Sequence, residues 1–178
     1  MKSLTPYLIL CLLVLGLGVN AQNYESPNTV ISDWYNALEE TDATKRADMM
    51  KQLFIDNGTI HSVLQRSSLS STLKGGSYNE FLKNSSDFYN TYTQGYDEVE
   101  RSIDYYIDMA MVHSLVFQSI VEKSKPGVAY EQMLWYSLTM VYRNDRWYLV
   151  SVSWVNAFGD ESIDDSMEID TLWHRVKD

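Results

Sequence analysis

Tyr142-Arg143-Asn144-Asp145-Arg146-Trp147-Tyr148-Leu149-Val150-Ser151-Val152-Ser153-Trp154 is the stretch whose reading decides the fold. A polar tripeptide, Arg143-Asn144-Asp145, separates two runs rich in β-branched and aromatic residues, the pattern of two strands and a tight turn. A connection this short joins antiparallel neighbours, because a parallel crossover needs a dozen residues or more. Working upstream, the same pattern repeats. Strands are expected near Glu98 to Tyr106, Met109 to Glu122, Val128 to Tyr142 and Trp147 to Asn156, with connections at Ile107-Asp108, Lys123 to Gly127 and the tripeptide above. Large apolar groups occupy both parities of the later strands: Leu134, Tyr136, Leu138 and Met140 on one, Met133, Trp135 and Val141 on the other. Such a sheet is covered on both faces.

The N-terminal third reads as helical. Ser26-Pro27 offers a capping hydroxyl and a first-turn proline, and Val30, Trp34 and Leu38 recur at four-residue spacing. Met49, Met50, Leu53 and Phe54 make a second amphipathic pattern, which ends before a turn signal at Asp56-Asn57-Gly58; Thr59 to Leu64 then reads as a strand. After the polar stretch Gln65 to Gly76, Ser77 and Glu80 form a capping box for a third helix, with Tyr78, Phe81, Leu82, Phe88 and Tyr89 on its apolar face. The class is α+β, with three helices against an antiparallel sheet. Helices cover one sheet face, and a second copy of the chain is the economical cover for the other, so a homodimer is expected.

Residues 1–21 have the pattern of a cleavable leader. Lys2 supplies a positive end, Tyr7 to Val19 an apolar run, and Val19-Asn20-Ala21 small residues before the expected cut at Ala21-Gln22. The run is shorter than the roughly 20 apolar residues that a spanning helix needs. The expected product is exported, periplasmic or secreted, with no stable membrane anchor. Removing 21 residues from 178 leaves 157, one ordinary domain (22–156) with an acidic tail (157–178), and takes away Cys11, the only cysteine. The whole chain carries a formal charge of −10, which becomes −11 without Lys2. An acidic surface repels phosphate, so nucleic acid is excluded as a partner.

The order helix, helix, strand, helix, long antiparallel hairpins resembles the nuclear transport factor 2-like superfamily, which includes ketosteroid isomerase and the SnoaL-like cyclases. The sharpest likeness is the hairpin Tyr142 to Trp154; Ile107-Asp108-Met109-Ala110-Met111-Val112 resembles the same superfamily's turn into its long central strand. The resemblance covers roughly Pro27 to Asn156. It implies a cone, helices packed on a strongly curved sheet around an apolar pocket, commonly dimeric through the sheet. It also implies that catalytic members hold an Asp, His or Tyr in the pocket, where desolvation tunes a proton-transfer group. Fold analogy by itself assigns no role.

The candidate proton-transfer residues are His61, on the first strand, and Asp104 with His113, across a hairpin from one another. Trp34, His61, Tyr105, Tyr136 and Trp154 are the candidate walls of a cavity for a small apolar or aromatic molecule; Tyr106 and Trp135 are further aromatic candidates. There is no HExxH motif, paired cysteine, calcium loop, glycine-rich phosphate loop or GxSxG elbow, so no metal or cofactor is expected. The favoured function is an exported, non-catalytic binder of a small molecule. The rivals are a SnoaL-like or ketosteroid-isomerase-like enzyme acting on an apolar substrate and a dimeric interaction module with a filled pocket.

Overall fold

Helix α1 (Pro27–Glu39) starts where its sequence places it: Ser26 Oγ accepts the Asn28 amide at 3.2 Å, and Pro27 occupies the first turn. The computed structural model describes residues 24–67, 70–127 and 129–156, so the expected leader and acidic tail lie outside the described residues. Helix α2 (Ala43–Leu53) follows, capped by Asp42, whose Oδ1 accepts the Lys45 amide at 2.8 Å. Then come β1 (Phe54–Ser67) and β2 (Ser70–Ser77), the latter formed by the polar stretch before the third helix. The capping box is present: Glu80 Oε2 accepts the Ser77 amide at 2.8 Å, and Ser77 Oγ accepts the Glu80 amide at 3.3 Å. The expected third helix is split into α3 (Tyr78–Asn84) and α4 (Ser86–Thr91). At the break, Ser85 Oγ donates to the Phe81 carbonyl at 2.7 Å, the local back-bonding by which serine competes with helix continuation.

Four strands complete the chain: β3 (Tyr92–Tyr106), β4 (Met109–Glu122), β5 (Ala129–Arg143) and β6 (Arg146–Asn156). Their hairpins are antiparallel as expected, and Asn144 and Asp145, at φ 51° and 61°, make the tight turn of the last one. β3 begins six residues earlier than its sequence signal at Glu98. The six strands lie in the order β2-β1-β6-β5-β4-β3, in a strongly curved sheet that does not close. The sheet is mixed rather than wholly antiparallel, because β1 and β6 run parallel, with Ile60 beside Val152 and Ser62 beside Trp154. β2 through β5 lie between those two strands in sequence, so no tight turn dictates their direction. The turn signal at Asn57-Gly58 is realised as an irregularity inside β1: Asn57 has φ 65°, and the register against β6 slips between Phe54 and Thr59. A Cβ on Gly58 would lie 2.5 Å from the Phe54 ring, so the bend requires glycine.

Alternation along the strands divides the sheet into an inner face, toward the helices, and an outer face. Ala110, Val112, Val116, Leu134, Leu138, Met140, Leu149 and Val152 point inward and are buried with Val30, Ile31, Trp34 and Leu38 of α1. Trp34 is fully buried, its indole edge-on to the rings of Phe54 at 5.8 Å and Tyr136 at 6.4 Å. A hydrogen-bonded latch fixes the helix to the sheet. The Tyr35 hydroxyl donates to Ser114 Oγ at 2.9 Å, Ser114 donates to Glu98 Oε1 at 2.5 Å, and Arg101 pairs with Glu98 while reaching Asn28 Oδ1 at 2.6 Å.

Arg46 on α2 is 2% exposed, and among the described residues no carboxylate pairs with it. Its charge is met instead by the C-terminal end of α1, where Nη1 donates to the Glu40 carbonyl at 2.6 Å, and by the Tyr89 ring, 3.6 Å beneath the guanidinium carbon. We expect Arg46→Ala to cost about 3.5–5 kcal/mol, the sum expected of a charged hydrogen bond and a desolvated cation–π contact. Urea unfolding measures it, and a midpoint equal to the wild type would show that the buried cation contributes nothing.

Candidate functional site

Beyond the core around Trp34, a cavity of about 260 Å³ remains between the sheet and the helices. Its apolar walls are Leu38 at the end of α1, Phe81 and Phe88 on α3 and α4, and Ile120, Tyr136 and Trp154 on the sheet. Phe81 meets Trp154 edge-on at 6.1 Å, and Tyr136 lies tilted against Trp154 at 5.7 Å. The polar lining is Ser62, Ser85, Gln94, Tyr96, Gln118 and Gln132. Among the described residues, no carboxylate, imidazole, ammonium or guanidinium lines it.

The three glutamines and Tyr96 form one network. Gln132 Nε2 donates to Gln118 Oε1 at 2.5 Å; Gln118 Nε2 donates to Gln94 Oε1 at 2.6 Å and to the Tyr96 oxygen at 2.7 Å; Tyr96 donates to Gln94 Oε1 at 2.6 Å. The register puts them together, since Gln118 lies opposite both Tyr96 on β3 and Gln132 on β5. Burial holds the Tyr96 and Tyr136 phenols far above their ordinary range; Tyr89 raises Tyr96 further while a Tyr136 hydrogen bond lowers it, and Tyr96 and Tyr35 raise Tyr136 further. Burial pushes Tyr89 up to about 12, with the Arg46 guanidinium and then the Gln94 amide pulling it back. Tyr35 is likewise raised by burial. These phenols are neutral hydrogen-bonding groups across the physiological range.

Of the residues singled out from the sequence, Tyr136 and Trp154 line the cavity. Trp34 packs against the inner side of Tyr136 and forms the core beneath the cavity rather than its wall. Tyr105, 58% exposed, lies edge-on to Trp147 near the β3–β4 turn, apart from the cavity, and Tyr106 is equally exposed. His61 sits one residue before the cavity-lining Ser62, which turns it to the outer face, where its ring covers Gly75: a Cβ there would lie 1.9 Å from Nδ1. Asp104 and His113 do share a face. Asp104 pairs with Met111 and His113 with Ser102, so the two are diagonal neighbours, about 7–8 Å apart by strand geometry. That face is the exposed outer one, and His113 Nδ1 lies 3.1 Å from Ser137 Oγ. The structure therefore brings none of the three into the cavity. The outer face instead aligns Ser102, His113, Ser137, Ser153 and His61 in a single row across five strands.

Sequence reasoning missed the glutamines. The signal was available: Gln118 falls at the inward parity of β4, between Val116 and Ile120, and Gln132 at that of β5, two residues before Leu134. A polar side chain in an apolar lattice of period two must find partners inside.

No protein-family model matches the chain, and no curated protein is matched. Solved structures are. The chain is similar to a nuclear transport factor 2-like superfamily protein from Salmonella enterica, with 15% identity, a TM-score of 0.53, and coverage of 77% of this chain and 92% of that one. It is similar to a candidate dehydratase of the same fold family from Streptomyces avermitilis, with 15% identity, a TM-score of 0.57, and coverage of 77% and 98%. It is also similar to a candidate aromatic ring hydroxylase from Novosphingobium aromaticivorans, with 13% identity, a TM-score of 0.58, and coverage of 77% and 90%. The chain has the nuclear transport factor 2-like cone fold. Such low identities establish the fold and leave the chemistry to the site.

Because the folded state holds several phenols neutral, their contribution to stability is complete below about pH 10, the value for an exposed tyrosine, and is lost as pH rises through the folded values. The melting temperature is expected to stay level from pH 6 to 9 and to fall above about 10, with phenolate absorbance from the buried tyrosines appearing only as the protein unfolds. Smooth titration of every tyrosine near pH 10 in a protein that stays folded would contradict the buried network.

Proposed function

We propose that the chain is an exported, non-catalytic binding protein, which takes a small, largely apolar molecule into the cavity between the sheet and helices α3 and α4. One observation carries this reading: an aromatic-walled space of about 260 Å³ whose polar groups are two serine hydroxyls and phenols and amides bonded among themselves. Small molecules are held in such apolar hollows with a few fixed polar tips. Proton transfer near neutral pH would call for a carboxyl or imidazole in contact with the reacting atoms. The carboxylate of Glu98 meets Ser114 and Arg101 and is occupied in fastening α1 to the sheet. The enzymatic relatives of this fold keep dehydratase or hydroxylase chemistry open as the second reading, and it would have to operate through Tyr96 or Tyr136.

The same proposal includes a second copy on the outer face. At its centre β4, β5, β6 and β1 present Met111, His113, Trp135, Thr139, Ser153 and Val155, without a carboxylate or a lysine, in a chain with 24 acidic and 14 basic residues. A neutral, partly apolar sheet face suits an isologous contact better than open water.

Native mass spectrometry of the protein from its own host tests all three parts at once. The expected spectrum is a dimer of chains that begin at Gln22, each holding a small molecule that is absent from an Ile120→Trp variant, in which the indole fills the cavity. A chain that keeps residues 1–21 removes export, a monomer removes the pairing, and an empty wild-type protein removes the binding role.

A further inference from the structure

We infer that the second copy docks with its twofold axis running along the strands, between β5 and β6, so that His113 of each chain lies over His61 of the other. This rests on the pairing through the outer face proposed above and goes further by naming the residues that meet.

One row of directly paired residues crosses all six strands on that face: Ser102, His113, Ser137, Ser153, His61 and Gly75, on β3, β4, β5, β6, β1 and β2 in turn. From the middle of the sheet, between β5 and β6, the row reads serine, histidine and then a small residue in both directions. One neighbouring row is Glu100, Leu115, Trp135, Val155, Val63 and Leu73, apolar from β4 to β2. The other is Asp104, Met111, Thr139, Ser151, Thr59 and Ser77. The carboxylates of these three rows, Glu100 and Asp104, both stand on the β3 edge, and the β2 edge carries Leu73, Gly75 and Ser77. With the rows through Met109 and Phe117 included, the face measures about 24 Å across the strands and about 27 Å along them, or about 650 Å² in plan, the scale of the roughly 800 Å² that each partner of a stable pair buries.

Two identical sheets packed face to face with their strands aligned are related by an axis in their common plane, which runs either across the strands or along them. Run across the strands through the His113 row, it lays each strand on its own copy: Glu100 meets Asp104 of the other chain, while Trp135 and Val155 meet Thr139 and Ser151. Run along the strands, it lays β3 on β2, β4 on β1 and β5 on β6. Glu100 and Asp104 then meet Leu73 and Ser77 of the uncharged edge, and the apolar row closes on itself, Trp135 on Val155 and Leu115 on Val63. Like charges set against each other oppose association, and apolar surface leaves water best against apolar surface. In a chain with 24 acidic and 14 basic residues, the second of the two arrangements hides the face without stacking acid on acid.

Cys11 is the only cysteine, so in a full chain carrying Cys11→Ser every thiol is an introduced one. A short bis-maleimide is expected to join the double variant His113→Cys/His61→Cys into covalent dimers. Neither single variant is expected to crosslink, because on this axis like positions of the two chains stand three strand spacings, roughly 14 Å, apart sideways. Covalent dimers from a single variant would mean that strands lie on their own copies and would overturn the axis, as would a double variant that does not crosslink. Sedimentation of the wild-type chain separates the failures: a dimer without the expected crosslink overturns the axis and leaves the pairing standing, whereas a monomer overturns both. Met111 and Thr59, which the same axis brings together, give a check by charge. Met111→Glu and Thr59→Lys are each expected to weaken the dimer at least about ten-fold, and their combination to return it to within about three-fold of the wild type, since only then does each carboxylate face an ammonium. Single variants that leave the dimer unchanged, or a combination no tighter than they are, would contradict the axis. The crosslinks decide the matter even if a charged variant does not fold.

Discussion

The seating of Trp34 against Phe54 and Tyr136 is the contact on which the rest of the structure depends. A fully buried indole contributes several kcal/mol, and its removal would be expected to cost about 3–5. Its position matters as much as its size. Trp34 seats α1 on the sheet through Phe54 and Tyr136, and Leu38, one turn further along, lines the cavity. Tyr35, the next residue, turns to the β3–β4 side, stacks on Tyr96 at 5.9 Å and holds Ser114. Two successive side chains of one helix thus set the depth and the orientation of the cavity.

Burying so much phenol and amide in one place is costly unless each group is paired, and this explains why the network is so tightly connected. Gln118 is its hub because it reaches both β3, through Gln94 and Tyr96, and β5, through Gln132. The bonds tie the three strands together across the inner face at the height where helix cover gives way to open space. In the proposed binding role the atoms that stabilise the fold would also meet the guest, so a substitution at Gln118 is to be read with its effect on folding.

Much of the fold was legible in the sequence because its signals were local. The capping box at Ser77 and Glu80, the proline-led start of α1 and the turn at Asn144-Asp145 each lie within a few residues and settle their own geometry. What escaped was non-local. The parallel pairing of β1 with β6 joins segments at opposite ends of the domain, and no turn chemistry announces it. His61 was assigned to the cavity from the position of its strand, but the face of a strand residue changes with every step, and the bend at Asn57 resets the count just upstream. Asp104 and His113 illustrate the complementary difficulty: they do come out on one face, but on the face that the helices do not cover. The glutamines were readable in parity and went unread because amides suggest no chemistry of their own.

Tyr24 stands just ahead of α1 and is held from two sides: its carbonyl accepts the Trp147 amide at 2.9 Å, and its ring, 2% exposed as a residue, lies 4.2 Å from the Arg146 guanidinium carbon. If the leader is cut after Ala21, only Gln22 and Asn23 separate the scissile bond from this anchor, a span of roughly 10 Å at full extension. On the proposed export, a cut after Ala21 would leave in the mature chain the residue that clasps the last hairpin from its N-terminal side.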